Sequence, residues 1–215
     1  MLLKTIQPQY VIDQIENNKD IIYSYSETPP EDYGWFFYES YEWIKSNKMA
    51  TVGTPSPTQQ IFWAWEYNTK KNIKTANKML KHQKDAFRSD YAILTIEKPD
   101  NEVLLSDHLL WEYVLNYWLI PTNEAERKYW EELEINGVNF YDEKPLKDKN
   151  YHSLLSKSWD KAFQLKLNSK TGNYNFDLSK ETLDVIDIKK EDCLVQATLW
   201  DIKKEEIKDI EIFKS

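Results

Sequence analysis

The chain has 215 residues, a mass of 25.8 kDa, a formal net charge of −8 and a pI of about 5.1. That length fits one domain able to bury a core unaided, and the single cysteine, Cys193, excludes an internal disulfide. The acidic balance speaks against broad nucleic-acid binding, and no apolar run approaches the roughly 18 residues of a membrane helix.

The opening MLLKTIQPQY lacks the pattern of a secretory signal. A soluble, cytoplasmic protein with no membrane partner is the expectation. Nine Trp, fourteen Tyr and eight Phe set against four Gly predict a core packed with large rings.

In chain order, Leu2–Ile6 reads as a strand, and Gln7-Pro8 opens a helix that places Val11, Ile12 and Ile15 on one face and ends at Asn17-Asn18. Ile21–Tyr25 alternates like a strand, and Thr28–Gly34 is a loop. Trp35–Asn47 is predicted as a helix with Phe36, Phe37, Tyr41 and Ile44 turned inward. After a loop over Lys48–Gln60, Ile61–Tyr67 sets Trp63, Trp65 and Tyr67 on one strand face and Phe62 and Ala64 on the other.

From Lys70 to Arg88 there are seven basic residues against one acid, Asp85, a stretch of +6 that leaves −14 on the rest. Charge runs usually face water, so this stretch reads first as a solvated helix or loop. In a helix, Lys70, Lys74, Lys78 and His82 would line one edge; the functional alternative is a strip that contacts RNA. Tyr91–Glu97 is a strand, followed by a turn at Pro99–Asn101.

Val103–Pro121 runs from a short strand through Ser106-Asp107 into a helix carrying Trp111, Tyr113, Tyr117 and Trp118 and ending at the proline. Glu124–Glu134 is a further helix, with Asn123 and Glu126 as a capping pair and Asn136-Gly137 at its end. Val138–Asn150 is a loop, Ser153–Phe163 a helix, Asn168–Asn175 a turn-rich loop. Cys193–Trp200 alternates, with Gln196, Thr198 and Trp200 on one face; Lys203–Glu206 is a turn and Ile207–Phe213 a last strand.

The segments LKTIQP, YEWIKSNK, FWAWEY, VLLSDHLLWEYVLNYWLIP, SWDKAF and VQATLWDIKKEEIKDIEIF occur in that order and together resemble an uncharacterised bacterial family, domain of unknown function 3841. The resemblance covers nearly the whole chain except Lys70–Arg88. It implies boundaries and no activity. A weaker resemblance is to ADP-ribosyltransferase-like domains, which would put Thr5 and Gln7 on the first strand, Ser106 in the middle motif and Gln196 in the late one. The first-strand His or Arg and the late Glu of that group are not matched. The strand-proline-helix opening is equally similar to RNA-binding domains associated with pseudouridine synthases.

His108, Glu112 and Asn116 form a polar stripe at four-residue spacing. It reads mainly as a solvent edge, or else as the edge of a pocket; a metal site lacks its third ligand. Asp107 reads as a helix N-cap, with ribose or base contact as the alternative. Cys193 on an alternating strand reads as buried and inert. There is no glycine-rich phosphate loop, GxSxG, HExxH or CxxC.

The expected architecture is a single α+β domain with a small, mostly antiparallel sheet flanked by helices. The leading functional expectation is a nucleotide-type pocket, walled by Trp63, Trp65, Trp111 and Trp200, with Gln7, Asp107, Asn116 and Gln196 as polar contacts. Its catalytic form would transfer ADP-ribose from NAD, with no residue assigned as base. The alternatives are a non-enzymatic protein whose acidic surface occludes a basic partner, as in conflict between bacteria and phages, and an RNA-binding module using residues 70–88.

Overall fold

The structure is a computed structural model of the chain. It describes residues 1–25, 34–53, 60–84, 90–135, 149–177, 188 and 193–214. The loop expected at Thr28–Gly34 lies almost wholly outside the described residues, as do Asn136-Gly137, most of the 138–150 loop and Arg88.

The fold is α+β. Strands are β1 (Leu2–Pro8), β2 (Ile21–Tyr23), β3 (Phe62–Glu66), β4 (Tyr91–Glu97), β5 (Leu104–Asp107), β6 (Leu165–Asn168), β7 (Asn173–Phe176), β8 (Val195–Leu199), β9 (Asp201–Lys203) and β10 (Ile207–Phe213). Helices are α1 (Gln9–Glu16), α2 (Gly34–Asn47), α3 (Lys70–Lys84), α4 (His108–Leu115), α5 (Glu124–Ile135) and α6 (Lys149–Trp159). Six strands form one sheet in the order β10-β4-β1-β3-β8-β5, while β2-β9 and β6-β7 make two-stranded sheets. The registered pairs of the large sheet are antiparallel.

The chain divides into two compact units. The first comprises Met1–Glu27, Lys45–Leu105 and Val195–Ser215, and the second Thr28–Ile44 and Ser106–Leu194.

In the first unit, the period-2 patterns of β1, β3, β4 and β8 send alternate side chains to opposite faces of the sheet. One face is apolar: Leu3, Phe62, Ala64, Leu94, Ile96, Ala197 and Leu199 pack with Val11 and Ile12 of α1 and with Ile22 and Ile202 of β2 and β9. The other face carries Trp65, which packs with Ala76 and Leu80 of α3 beside Ile6, Tyr67 and Met79. Both helices therefore belong to the sheet sandwich of this unit, and α3 is a helix despite its charge because every third or fourth residue is apolar.

The start of α3 is fixed by side chains. Thr69 Oγ1 accepts from the Asn72 amide, and Asn72 Nδ2 donates to Glu66, a fully buried carboxylate whose other oxygen takes Asn68 N at 2.9 Å and Asn68 Nδ2 at 2.7 Å. Its far end is held by Lys84, whose ammonium lies 4.4 Å from the Phe213 ring centroid; Phe213 itself stacks on Tyr91 at 4.9 Å.

The second unit is an aromatic core. Trp159 makes edge contacts with Trp43 at 5.2 Å and Tyr117 at 5.1 Å, Trp43 also meets Phe163, and Tyr41 stands edge-on to Trp111 at 5.9 Å. Such rings bury large areas and prefer these tilted geometries. Buried polar groups are matched: Trp159 Nε1 donates to the Trp118 carbonyl, Ser158 Oγ accepts from Ile120 N, and Lys161 donates to the Ile120 carbonyl.

Several expectations need correction. Gln7 and Pro8 end β1 rather than begin a helix, and Pro8 becomes the N-cap of α1. Phe37 is exposed, not inward, whereas Ile44 is buried. The helix after Asp107 stops at Leu115 and not at Pro121, because Trp118 N bonds to the Tyr113 carbonyl and Tyr117 N to the Val114 carbonyl, with Tyr117 at φ +59°. That is the Schellman way of ending a helix, six residues before the proline. The region 168–175 holds a hairpin turn, with β6 and β7 on either side and Gly172 at φ +68°. In the capping pair, Asn123 Oδ1 does accept from Glu126 N, but the Glu126 carboxylate turns back to Thr122 N.

Candidate functional site

The eight residues expected to line a pocket fall into different surroundings. Asp107, Trp111 and Asn116 belong to the second unit; Gln7, Trp63, Trp65, Gln196 and Trp200 belong to the first. Within the first unit, Trp65 stands opposite Gln196, and Trp63 opposite Thr198, in the β3–β8 ladder, so these share the sheet face that α3 covers. Gln7 follows Leu3 and Thr5 on the opposite face, and its Nε2 donates to Thr5 Oγ1 at 2.7 Å. Thr5 in turn donates to the Trp63 carbonyl at 2.5 Å. Trp65 and Gln196 are 6% and 5% exposed, so neither opens a wall to solvent.

In the second unit Asp107 is the N-cap of α4. One oxygen accepts from Leu110 N at 2.9 Å and the other from Leu194 N at 2.8 Å. Burial pushes its carboxyl up from 3.8 to about 6, against the opposing pull of these two amides. A folded pKa above the unfolded one means that the folded state holds the proton more tightly between about pH 4 and 6. Stability from this group is therefore greatest at low pH and falls as pH rises through that window. Asp107→Asn cannot titrate. We expect its deficit relative to wild type, measured by urea unfolding, to grow as pH is lowered from 7 to 4.5; a deficit that shrinks on acidification contradicts this assignment.

Trp111 is 3% exposed and packs edge-on to Tyr41, so it is core. Asn116 is the C-cap of α4 and donates to the Glu112 carbonyl at 2.8 Å. His108 Nε2 lies 3.9 Å from Glu112, both on the partly exposed side of α4. Among the described residues no group of three His, Cys, Asp or Glu is placed to hold a metal ion. Cys193 is buried and forms no disulfide.

A cavity of about 430 Å³ lies in the first unit. It is lined by the Thr51–Gly53 turn, by Lys98, Asn101 and Glu102 after β4, and by Trp200, Asp201 and Lys203 between β8 and β9. Trp200 is the one expected pocket residue that lines it. Its Nε1 donates to the Met49 carbonyl at 3.0 Å, and it is 5% exposed, so it serves as a wall and not as a stacking platform. Gly53, at φ +139°, sits against it: a Cβ there would come within 3.3 Å of Trp200 Cδ1. Any other residue at 53 would combine strained backbone with a crowded indole.

The floor of the cavity is an ion network. Lys98, 2% exposed, directs its ammonium at Asp201 (2.8 Å), Glu206 (2.9 Å) and Glu102 (3.0 Å). A lysine has three N–H groups, and here three carboxylates face them. Burial alone would lower the Lys98 pKa, but the hydrogen bonds it donates to Asp201, Glu206 and Glu102 outweigh that and raise the value. The Lys98 hydrogen bond is the main cause that holds Glu102 below its ordinary carboxyl value. Lys203 adds contacts to Glu102 at 3.2 Å and Glu206 at 3.8 Å, and Glu206 also accepts from Lys203 N. Two cations and three anions leave the network at −1.

Lys98, Asn101, Glu102, Asp201 and Lys203 are not among the residues expected from the sequence to line a site. The local signals are the Lys98–Glu102 spacing of four residues and the Lys203–Glu206 spacing of three; the pairs that join the two segments span about a hundred residues.

Among the described residues no helix is long and apolar enough to cross a membrane. No curated protein and no solved structure matches the chain. A family model, Domain of unknown function (DUF3841), matches residues 2–208, and the chain thus belongs to that family.

Proposed function

We propose that the first unit is a binding module for a small ligand carrying a ribose or a comparable hydroxyl-rich group. The observation that carries this reading is the acceptor-rich cavity floor. Asp201 and Glu102 are fixed by Lys98 yet remain about 27% and 32% exposed, beside the exposed amide of Asn101. Each carboxylate has more acceptor sites than its lysine contacts use, and vicinal hydroxyls are the donors that suit them. The volume, about 430 Å³, is in the range of small-molecule sites.

Charge narrows the ligand further. The lysines are already neutralised and the network is net negative, so a chain of phosphates finds no free cation on this floor. A nucleoside or sugar therefore fits better than a nucleoside triphosphate.

Thermal-shift titration with ribose, adenosine, AMP, ATP and NAD tests the proposal. Adenosine is expected to raise Tm, with the shift decreasing toward ATP and lost in Asn101→Ala and Asp201→Asn. No shift with any of these at millimolar concentration rejects it. Nicotinamide release from NAD, lost in Asp201→Asn, would extend the reading to ADP-ribose transfer; intact NAD after prolonged incubation would confine it to binding.

A further inference from the structure

We infer that the outer face of α3 is a contact surface for the sugar-phosphate backbone of a single-stranded nucleic acid. α3 carries six lysines and no acid in fifteen residues. Lys70, Lys74, Lys78 and Lys81 are exposed, and among the described residues no ion pair joins any of them to a carboxylate. The contrast lies within the same unit, where Lys4, Lys203 and Lys208 each sit on a glutamate. These four lysines put +4 on one exposed face of α3, although the chain as a whole carries −8. At physiological salt the screening length is about 8 Å, so a ligand on this face responds mainly to the lysines beneath it.

Spacing favours a polymer of regular charge. Residues four apart on a helix are separated by about 6 Å, and the row from Lys70 to Lys81 spans about 16 Å. A flexible single strand can bring successive phosphates to lysines placed at this repeat without the fixed groove geometry of a duplex. The row is also rigid before binding, because the inner side of α3 is fixed by Leu80 and Ala76 on Trp65, by Asn72 on Glu66, and by Lys84 on Phe213. A preformed row loses less side-chain and backbone freedom on binding. No large apolar residue of α3 is exposed, which argues against insertion into a lipid surface.

Fluorescence anisotropy with labelled ten-residue oligouridylate and oligothymidylate, and with polyglutamate as the competing polyanion, tests this on the full chain. With four lysine contacts, log K is expected to fall against log salt with a slope of about −3, a loss of roughly 60-fold between 50 and 200 mM. Lys74→Gln with Lys78→Gln should roughly halve the slope, and the fourfold variant at 70, 74, 78 and 81 should abolish binding. Glutamine keeps helix propensity, and circular dichroism with an unchanged Tm verifies the fold. Binding by the two oligonucleotides in this pattern supports the inference, and the tighter of the two names the nucleic acid. Absence of binding at 50 mM salt, binding indifferent to the fourfold variant, or polyglutamate held as tightly as the oligonucleotides would overturn it.

Discussion

Lys98→Ala is expected to lower the stability of the chain by about 3–5 kcal/mol at pH 7, the range for removing one partner of a buried ion pair. Asp201, Glu206 and Glu102 would be left around an empty volume with no cation among them except Lys203, which reaches only Glu102 and Glu206. The effect has a pH signature. In the wild type the Glu102 pKa is lowered, so its stabilisation is present above about pH 4.5 and is lost on acidification. The Lys98 pKa is raised, so its share is complete below about 10.5 and is lost only as pH rises through its folded value. Without Lys98 the carboxylates repel, and protonating them relieves the variant. The difference between wild type and variant in urea unfolding should therefore be largest near neutrality and should shrink toward pH 4. A difference below 1 kcal/mol at pH 7, or one that widens in acid, would sink this account of the network.

The same network explains what the sequence could and could not convey. The bounds of β1, β4 and β10 agree within one or two residues, and in β1 alternation is the reason, since one of its faces must be apolar. Asp107 is legible as a cap because capping is local chemistry: a side-chain oxygen, and an amide three residues on. The two-faced reading of Trp63 and Trp65 holds for the same reason. Lys98, Asp201 and Glu206 are different. Each stands among other charged residues, where solvation is the usual outcome, and nothing local tells which lysine will be buried. Only the crossing of β4 with the β8–β9 turn decides it. Aromatic content misled in the same way. Trp65 and Trp111 are large rings near polar residues, a pattern shared by pocket walls and core, and their neighbours α3 and Tyr41 cover them. Most of β7 lies in the stretch 168–175 that reads as loop, because its residues are polar and only Phe176 at its end is buried.

The end of α4 shows how a whole element can be set by one backbone angle. Pro121 and the apolar run before it suggest a longer helix, yet Tyr117 adopts φ +59° and closes the helix behind Leu115. A left-handed conformation costs a residue with Cβ about 1–2 kcal/mol. Here it is imposed by a ring that is 1% exposed, edge-on to Trp159 at 5.1 Å, with its hydroxyl donating to Glu39. Burial and the Glu39 hydrogen bond raise the phenol pKa well above its usual value, so this hydroxyl stays protonated at any physiological pH. Three substitutions separate the contributions. Tyr117→Phe keeps the ring and loses one hydrogen bond, for a cost of about 1 kcal/mol. Tyr117→Ala removes the ring but keeps a Cβ in the strained conformation, and about 3–5 kcal/mol should be lost. Tyr117→Gly removes the same ring and relieves the backbone, so it should be about 1 kcal/mol more stable than the alanine variant although glycine is ordinarily the weaker helix former. If equilibrium unfolding ranks alanine above glycine, the left-handed turn is not what ends α4; the predicted order ties the helix terminus, the aromatic core and the Glu39 contact to a single residue.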